Sequence, residues 1–250
     1  MVNLASGNIL SNVVSTEVKK MRSMPKDAVL LVIDVQKGFD EPVWGRRNNP
    51  QAEANIAQLL DAWRRTERPV VFVQHLSREP NSPLRPNQEG CEIKDAVRPL
   101  PDEPVIQKQV NSAFIGTDLA ERLRRMGSKT IVITGLTTPH CVSTTARMAG
   151  NFGFDTFVVA DATASYDLTG HDGKLYKAED LHALSLASLH GEFATILETD
   201  ALLRRLDKDV ELLNEAFETS NLRGETLHEK IEAPEREPVF PASAFHILTS

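Results

Sequence analysis

"TIVITGLTTPHCVSTTARMAGNFGFDTFVVADA", residues 130–162, is the stretch that decides the fold. An apolar run at 130–136 leads into helical spacing at 139–152, and a second apolar run follows at 155–162. Apolar runs without polar alternation fit strands covered on both faces. Strand, helix, strand in that order makes a parallel pair with the helix packed across it. Thr137 or Thr138 is a suitable N-cap, and Pro139 suits the first helical position. Cys141 therefore falls in the first turn, at the joint between strand and helix. Free N–H groups and the positive dipole end there favour a thiolate and can hold an oxyanion.

The same alternation extends in both directions. Strand-like runs stand at 28–34, 69–75, 104–108 and 194–199, and helical spacing at 50–67, 117–127 and 178–193. Gly127 stops the second of these helices. The pattern predicts an α/β fold of three layers, a mainly parallel six-stranded sheet with helices on both faces. The connection 76–104 is different, because it carries Pro80, Pro83, Pro86, Pro99, Pro101 and Pro104 and shows no helix. A connection this long is expected to serve the site as a lid. The expected organisation is an N-terminal extension at 1–26, a domain at 27–203, and a C-terminal extension at 204–250 that is helical and then irregular.

Composition narrows the function. The net charge is −7 and no basic stripe is visible, so nucleic acid is not an expected partner. No apolar run is long enough to span a bilayer. Two cysteines among 250 residues suit a reducing compartment, and a cytoplasmic location is expected. "DVQKGFD" (34–40) follows the first strand where a nucleotide-binding protein would carry a glycine-rich loop.

Ligands of parallel α/β sheets bind beyond the carboxyl ends of the strands. Asp34 ends the first strand, Lys108 the third, and Cys141 follows the fourth. Each has an ordinary structural role open to it: a loop cap, a snorkelling lysine, a packed thiol. Together at one edge they form a base, a cation and a nucleophile, the set that acyl transfer requires. His75, at the end of the second strand, is expected in the pocket. His140 is expected at the rim, and His182 and His190 in core or subunit packing. Asp161 is expected to brace a loop, and Cys91 has no evident partner. Phe39, Trp44, Phe114 and Tyr166 follow strand ends and are candidate walls for a flat or cyclic group.

Three segments carry a resemblance: "LLVIDVQKGF" (30–39), "VIQKQVNSAFIGTDL" (105–119) and "VITGLTTPHCVSTTARMAGNFGFDTFVVADATAS" (132–165). Together they resemble the isochorismatase-like cysteine hydrolases, in order, over residues 27–203. The resemblance implies Cys141 as nucleophile, Asp34 as its base and Lys108 as the third catalytic member. It further implies an oxyanion hole from the N–H groups of Thr137 and Cys141, and a cis peptide between Leu136 and Thr137. The Asp-x-His cluster of the metal-dependent members is replaced by "QHLSREPNSPL" (74–84). The closer likeness is thus to the metal-free amidohydrolase branch of N-carbamoylsarcosine amidase and streptothricin hydrolase, with neither metal nor cofactor expected. A thiol nucleophile favours C–N cleavage of an amide, carbamoyl, ureido or lactam substrate. Vinyl-ether hydrolysis of the isochorismatase type stays open, as does a binding module without turnover. The family also implies a homo-oligomer, dimer or tetramer, acting on a small molecule.

Overall fold

Val29–Ile33 forms β1, and all five of its residues are buried, which is why its sequence shows no polar alternation. The computed structural model describes residues 24–206. Five more strands join β1 in one sheet: β2 (Val70–His75), β3 (Val105–Lys108), β4 (Thr130–Leu136), β5 (Asp155–Ala164) and β8 (Thr195–Leu197), in the order β3-β2-β1-β4-β5-β8. Every neighbouring pair in this sheet is parallel. Two-residue strands β6 (Leu168–Thr169) and β7 (Leu175–Tyr176) make a separate antiparallel hairpin. The sequence expectation of six parallel strands holds. The exception to coverage on both faces is β3, a sheet edge whose Val105 is exposed while Ile106 and Lys108 are buried.

Four helices lying wholly within the described residues cover the sheet: α1 (Ala52–Arg65), α2 (Leu119–Arg125), α3 (Ser143–Asn151) and α4 (Ala178–Leu189). Alternate residues of β1 serve opposite faces. Leu31 and Ile33 pack with Leu119 and Leu123 of α2, Ala146 and Ala149 of α3, and Leu189 of α4. Leu30 and Val32 pack with Ile56, Leu59 and Trp63 of α1. Each fully buried side chain of this size stabilises the fold by about 1.5–3 kcal/mol. The fully buried indole of Trp63 also donates Nε1–H to the carbonyl of Ala28 at 3.0 Å, so no polar atom of it is stranded.

The core extends slightly past both expected domain boundaries. Met24 belongs to the α1-side cluster, as do Leu202 and Leu206 from the helical residues 199–206. Residues 207–250, where the helical and then irregular extension is expected, and most of the N-terminal extension lie outside the described residues. No helix among the described residues is long and apolar enough to cross a membrane.

The pairing of β4 with β5 shifts register between Ile133 and Gly135. Carbonyls freed there are taken by two asparagines: Asn49 Nδ2 donates to Ala160 O at 3.1 Å and Thr163 O at 2.7 Å, and Asn55 Nδ2 to Asp161 O at 2.8 Å. Asp161 accepts from both N–H and Oγ1 of Thr199, each at 2.8 Å, and so braces the segment after β8.

Candidate active site

Asp34 leaves β1 with φ 51°, in the left-handed region that aspartate tolerates better than most residues. Its N–H still donates to Val73 O at 2.9 Å, which fixes the turn against β2. Lys108 ends β3, and the two-residue period of that strand sends it, like Ile106, to the buried side. Cys141 lies in a five-residue π turn, Thr138–Val142, that opens into α3. Thr137 caps this turn, with Pro139 in its first positions. The Oγ1 of Thr137 lies 3.0 Å from His140 Nδ1 instead of bonding a helix N–H. The Leu136–Thr137 peptide is cis.

These elements bring the three groups together. Lys108 Nζ lies 2.6 Å from Asp34 Oδ2 and 3.3 Å from Cys141 Sγ. The side chains of Asp34 and Lys108 are both 0% exposed. Burial pushes the Asp34 carboxyl above the usual carboxylate range, although the Lys108 ammonium acts in the opposite direction. Burial also pushes the Cys141 thiol up, and the Asp34 charge adds to that, against the pull of Lys108. Burial thus opposes ionisation of the thiol, which lies beside an Asp34 carboxyl whose Oδ1 has no hydrogen-bond partner among the described residues.

His75 joins the cluster from β2. Burial first, and then the charge of Lys108, hold its imidazole down to about 4. A neutral ring can accept, and Nδ1 takes a hydrogen bond from Lys108 Nζ at 3.1 Å. Gln36 fixes the backbone of His75 on both sides. Its Oε1 accepts from His75 N at 2.8 Å, while Nε2 donates to His75 O at 3.0 Å and Cys91 O at 2.9 Å. The sequence quotes Gln36 in its motif but does not reveal this role.

A carboxylate oxygen of Asp34, a ring nitrogen of His75 and Sγ of Cys141 lie within 4.8 Å of one another, close enough to hold a metal ion. The Lys108 ammonium, however, already contacts all three residues. A divalent cation would have to displace a buried ammonium and share its space, so this donor set does not fit a metal.

A cavity of about 280 Å³ opens over Cys141. Phe39, Trp44 and Tyr166 form one wall, with ring centroids 5.1 to 6.2 Å apart. Their polar atoms are tied back: Tyr166 Oη donates to Phe39 O and Trp44 Nε1 to Gly38 O, both at 2.7 Å. Thr137, His75 and the exposed rim residue His140 also line it.

Phe114 is the exception among the expected wall residues. It packs against Phe152 and Phe154, at centroid distances of 5.3 and 6.2 Å, within the core. The cause lies one residue earlier, where Ala113 N–H donates to Thr145 Oγ1 at 3.1 Å and draws this segment onto α3. Connection 76–104 also departs from expectation. Its Leu84 is buried in the aromatic cluster and lines the cavity, so this part of the connection is a packed wall and not a lid. Lys94 anchors it further, with Nζ 2.7 Å from Glu53 of α1. Sequence reading also misses Val43, Asn111 and the β6 residues Leu168 and Thr169 at the cavity. Of these, Asn111 had a signal, since it stands three residues after Lys108. His182 is not simple packing either: its Nδ1 lies 2.8 Å from Thr138 Oγ1, linking α4 to the cysteine turn.

Comparison with known proteins agrees with this fold. Residues 28–201 match the isochorismatase domain. The isochorismatase family protein YrdC of Bacillus subtilis is 50% identical over 180 residues, covering 72% of this chain and 96% of the relative. Nicotinamidase 3 of Arabidopsis thaliana is 30% identical, covering 76% and 94%. A crystal structure of a hydrolase of the isochorismatase family from Chromobacterium violaceum superposes with a TM-score of 0.72 at 43% identity, covering 75% of this chain and 97% of the other. Fold, site and relatives together place this chain in the isochorismatase family of hydrolases.

Proposed function

We propose that the chain is a cysteine hydrolase that cleaves the C–N bond of a small amide, carbamoyl, ureido or lactam substrate through a thioester. The observation that carries this reading is the single ammonium of Lys108, in contact with both the Asp34 carboxylate and the Cys141 thiol. A nicotinamidase among the relatives supports amide chemistry.

Cys141 gives its proton to Asp34 as Sγ attacks the carbonyl carbon, and Lys108 offsets the negative charge that remains on the pair. The N–H groups of Thr137 and Cys141 receive the oxyanion. Asp34 returns the proton to the leaving nitrogen as the C–N bond breaks. A water, deprotonated by Asp34, then cleaves the thioester and regenerates the thiol.

The test uses Cys141→Ala and a panel of primary amides, ureido acids and lactams. Wild-type protein is expected to release ammonia or open the lactam, and quenched samples to carry the acyl mass on Cys141. The variant should lose turnover by about 10⁴-fold or more while retaining substrate binding. Full turnover by Cys141→Ala would rule the mechanism out.

A further inference from the structure

We infer that the cavity selects by charge: it admits substrates whose acyl portion is uncharged and turns carboxylates away, with Asp167 setting that preference at the mouth. The inference deepens the amide-hydrolase reading and rests on it for the identity of the reaction, but not for the charge of the cavity.

No lysine or arginine among the described residues lines the cavity. The cations nearby are committed elsewhere. Lys108 is fully buried and held by Asp34, His75 and Cys141. Arg47 pairs with Glu53, its Nη1 2.7 Å from Oε1. Arg46 grips Asp167 through Nη2 at 2.9 Å and Nε at 3.2 Å, and turns its Nη1 to Glu179 at 2.7 Å. His75 is neutral.

The carboxylates, although each is paired with one of these cations, reach the cavity lining. Asp34 and Asp167 both line it. Asp167 Oδ1 also accepts from Ala178 N–H at 2.7 Å, and this bond, with Arg46, keeps the carboxyl ionised below its usual range. Asp167 and Glu179 share Arg46, which is thereby taken up by the two carboxylates, and Lys177 acts on Glu179 as well. A substrate carboxylate entering here would lose water without gaining an ionic partner and would meet a like charge. Neutral groups fare differently. The aromatic wall suits an apolar ring or chain, and Asn111, with no side-chain hydrogen bond among the described residues, offers an uncharged donor and acceptor. The consequence for chemistry is direct: a substrate that carries a carboxylate on its acyl portion is a poor fit, whereas a neutral amide is a good one.

Two alkylators of nearly equal size, iodoacetamide and iodoacetate, read this charge selection without any knowledge of the substrate. The full chain carrying Cys91→Ser would be labelled with each, and rates at Cys141 followed by intact mass, with glutathione as the free-thiol reference. The iodoacetamide-to-iodoacetate rate ratio at Cys141 is expected to exceed that of glutathione by about tenfold, the equivalent of about 1.4 kcal/mol. A ratio equal to or below the reference overturns the inference. Asp167→Asn should bring the ratio back toward the reference, and an unchanged ratio in a folded variant would remove Asp167 from the account. Should that variant fail to fold, the wild-type ratio still decides on the cavity. A matched pair of neutral and carboxylated amides completes the test. Cleavage of neither, with the alkylation ratio still high, would sink the amide reading and leave the charge selection standing.

Discussion

Asp34 Oδ1 is a buried acceptor without a donor among the described residues, and such atoms are uncommon enough in folded proteins to require a reason. A proton acceptor kept vacant for the thiol supplies one. The predicted pH dependence follows from its environment. Asp34 must be ionised to act as base, and burial raises it above the ordinary carboxylate value. The acidic limb of kcat/KM should therefore lie above the pH at which an exposed aspartate titrates, which a pH–rate profile will show. A limb at or below about pH 4 would place the base elsewhere. His75 has a separate role at this scale. As acceptor for Lys108 it positions the ammonium without touching the reacting atoms. His75→Ala should lower kcat more than it raises KM, with His75→Gln, which can still accept, recovering part of the loss. Equal effects in both variants would return His75 to the cavity wall.

At the scale of elements, Gly135 shows how the sheet admits the site. Its φ is 116°, and a Cβ there would stand 2.0 Å from Ile33 O on β1. Neither condition can be met by another residue without moving the β1–β4 pair. Gly135→Ala should cost about 3 kcal/mol or more and lower the thermal midpoint by roughly 6–12 °C, as calorimetry would measure. The six strands and four helices are legible in the sequence because each is buried on a face wide enough to leave a pattern. Convergence of Asp34, Lys108 and Cys141 is legible for a related reason, since strand ends in a parallel sheet share one edge. The β6–β7 hairpin is not, because two-residue strands carry no period. Nor is Phe114 legible as a core residue. Its fate depends on a hydrogen bond from Ala113 to Thr145, thirty-two positions away. Leu84 is hidden by its proline-containing surroundings, which read as loop and say nothing of where the loop packs.

Across the whole molecule, a polar network ties connection 76–104 to α1. Burial alone would raise the Glu53 carboxyl, but hydrogen bonds from Arg47 and Lys94 outweigh it and hold the group down to about 2. A carboxylate depressed on folding stabilises the protein above its unfolded value of 4.5 and loses that contribution as pH falls toward 2. In urea titrations Glu53→Gln should be less stable than wild type near pH 7, and the gap should close between about pH 4.5 and 2. A gap independent of pH would mean that packing, not charge, holds the connection. The arrangement of strands has one more effect. Asp34 follows β1 and Lys108 ends β3, with β2 lying between them. Neighbouring strands are about 4.8 Å apart, so the lysine and aspartate side chains together must bridge a gap on the order of two strand spacings. The sheet thus works as a ruler for the reaction. A slip or splay in the β2–β3 ladder, far from any substrate, would be felt first as a change in the length of the ion pair, and a deficit in rate would precede any loss of fold.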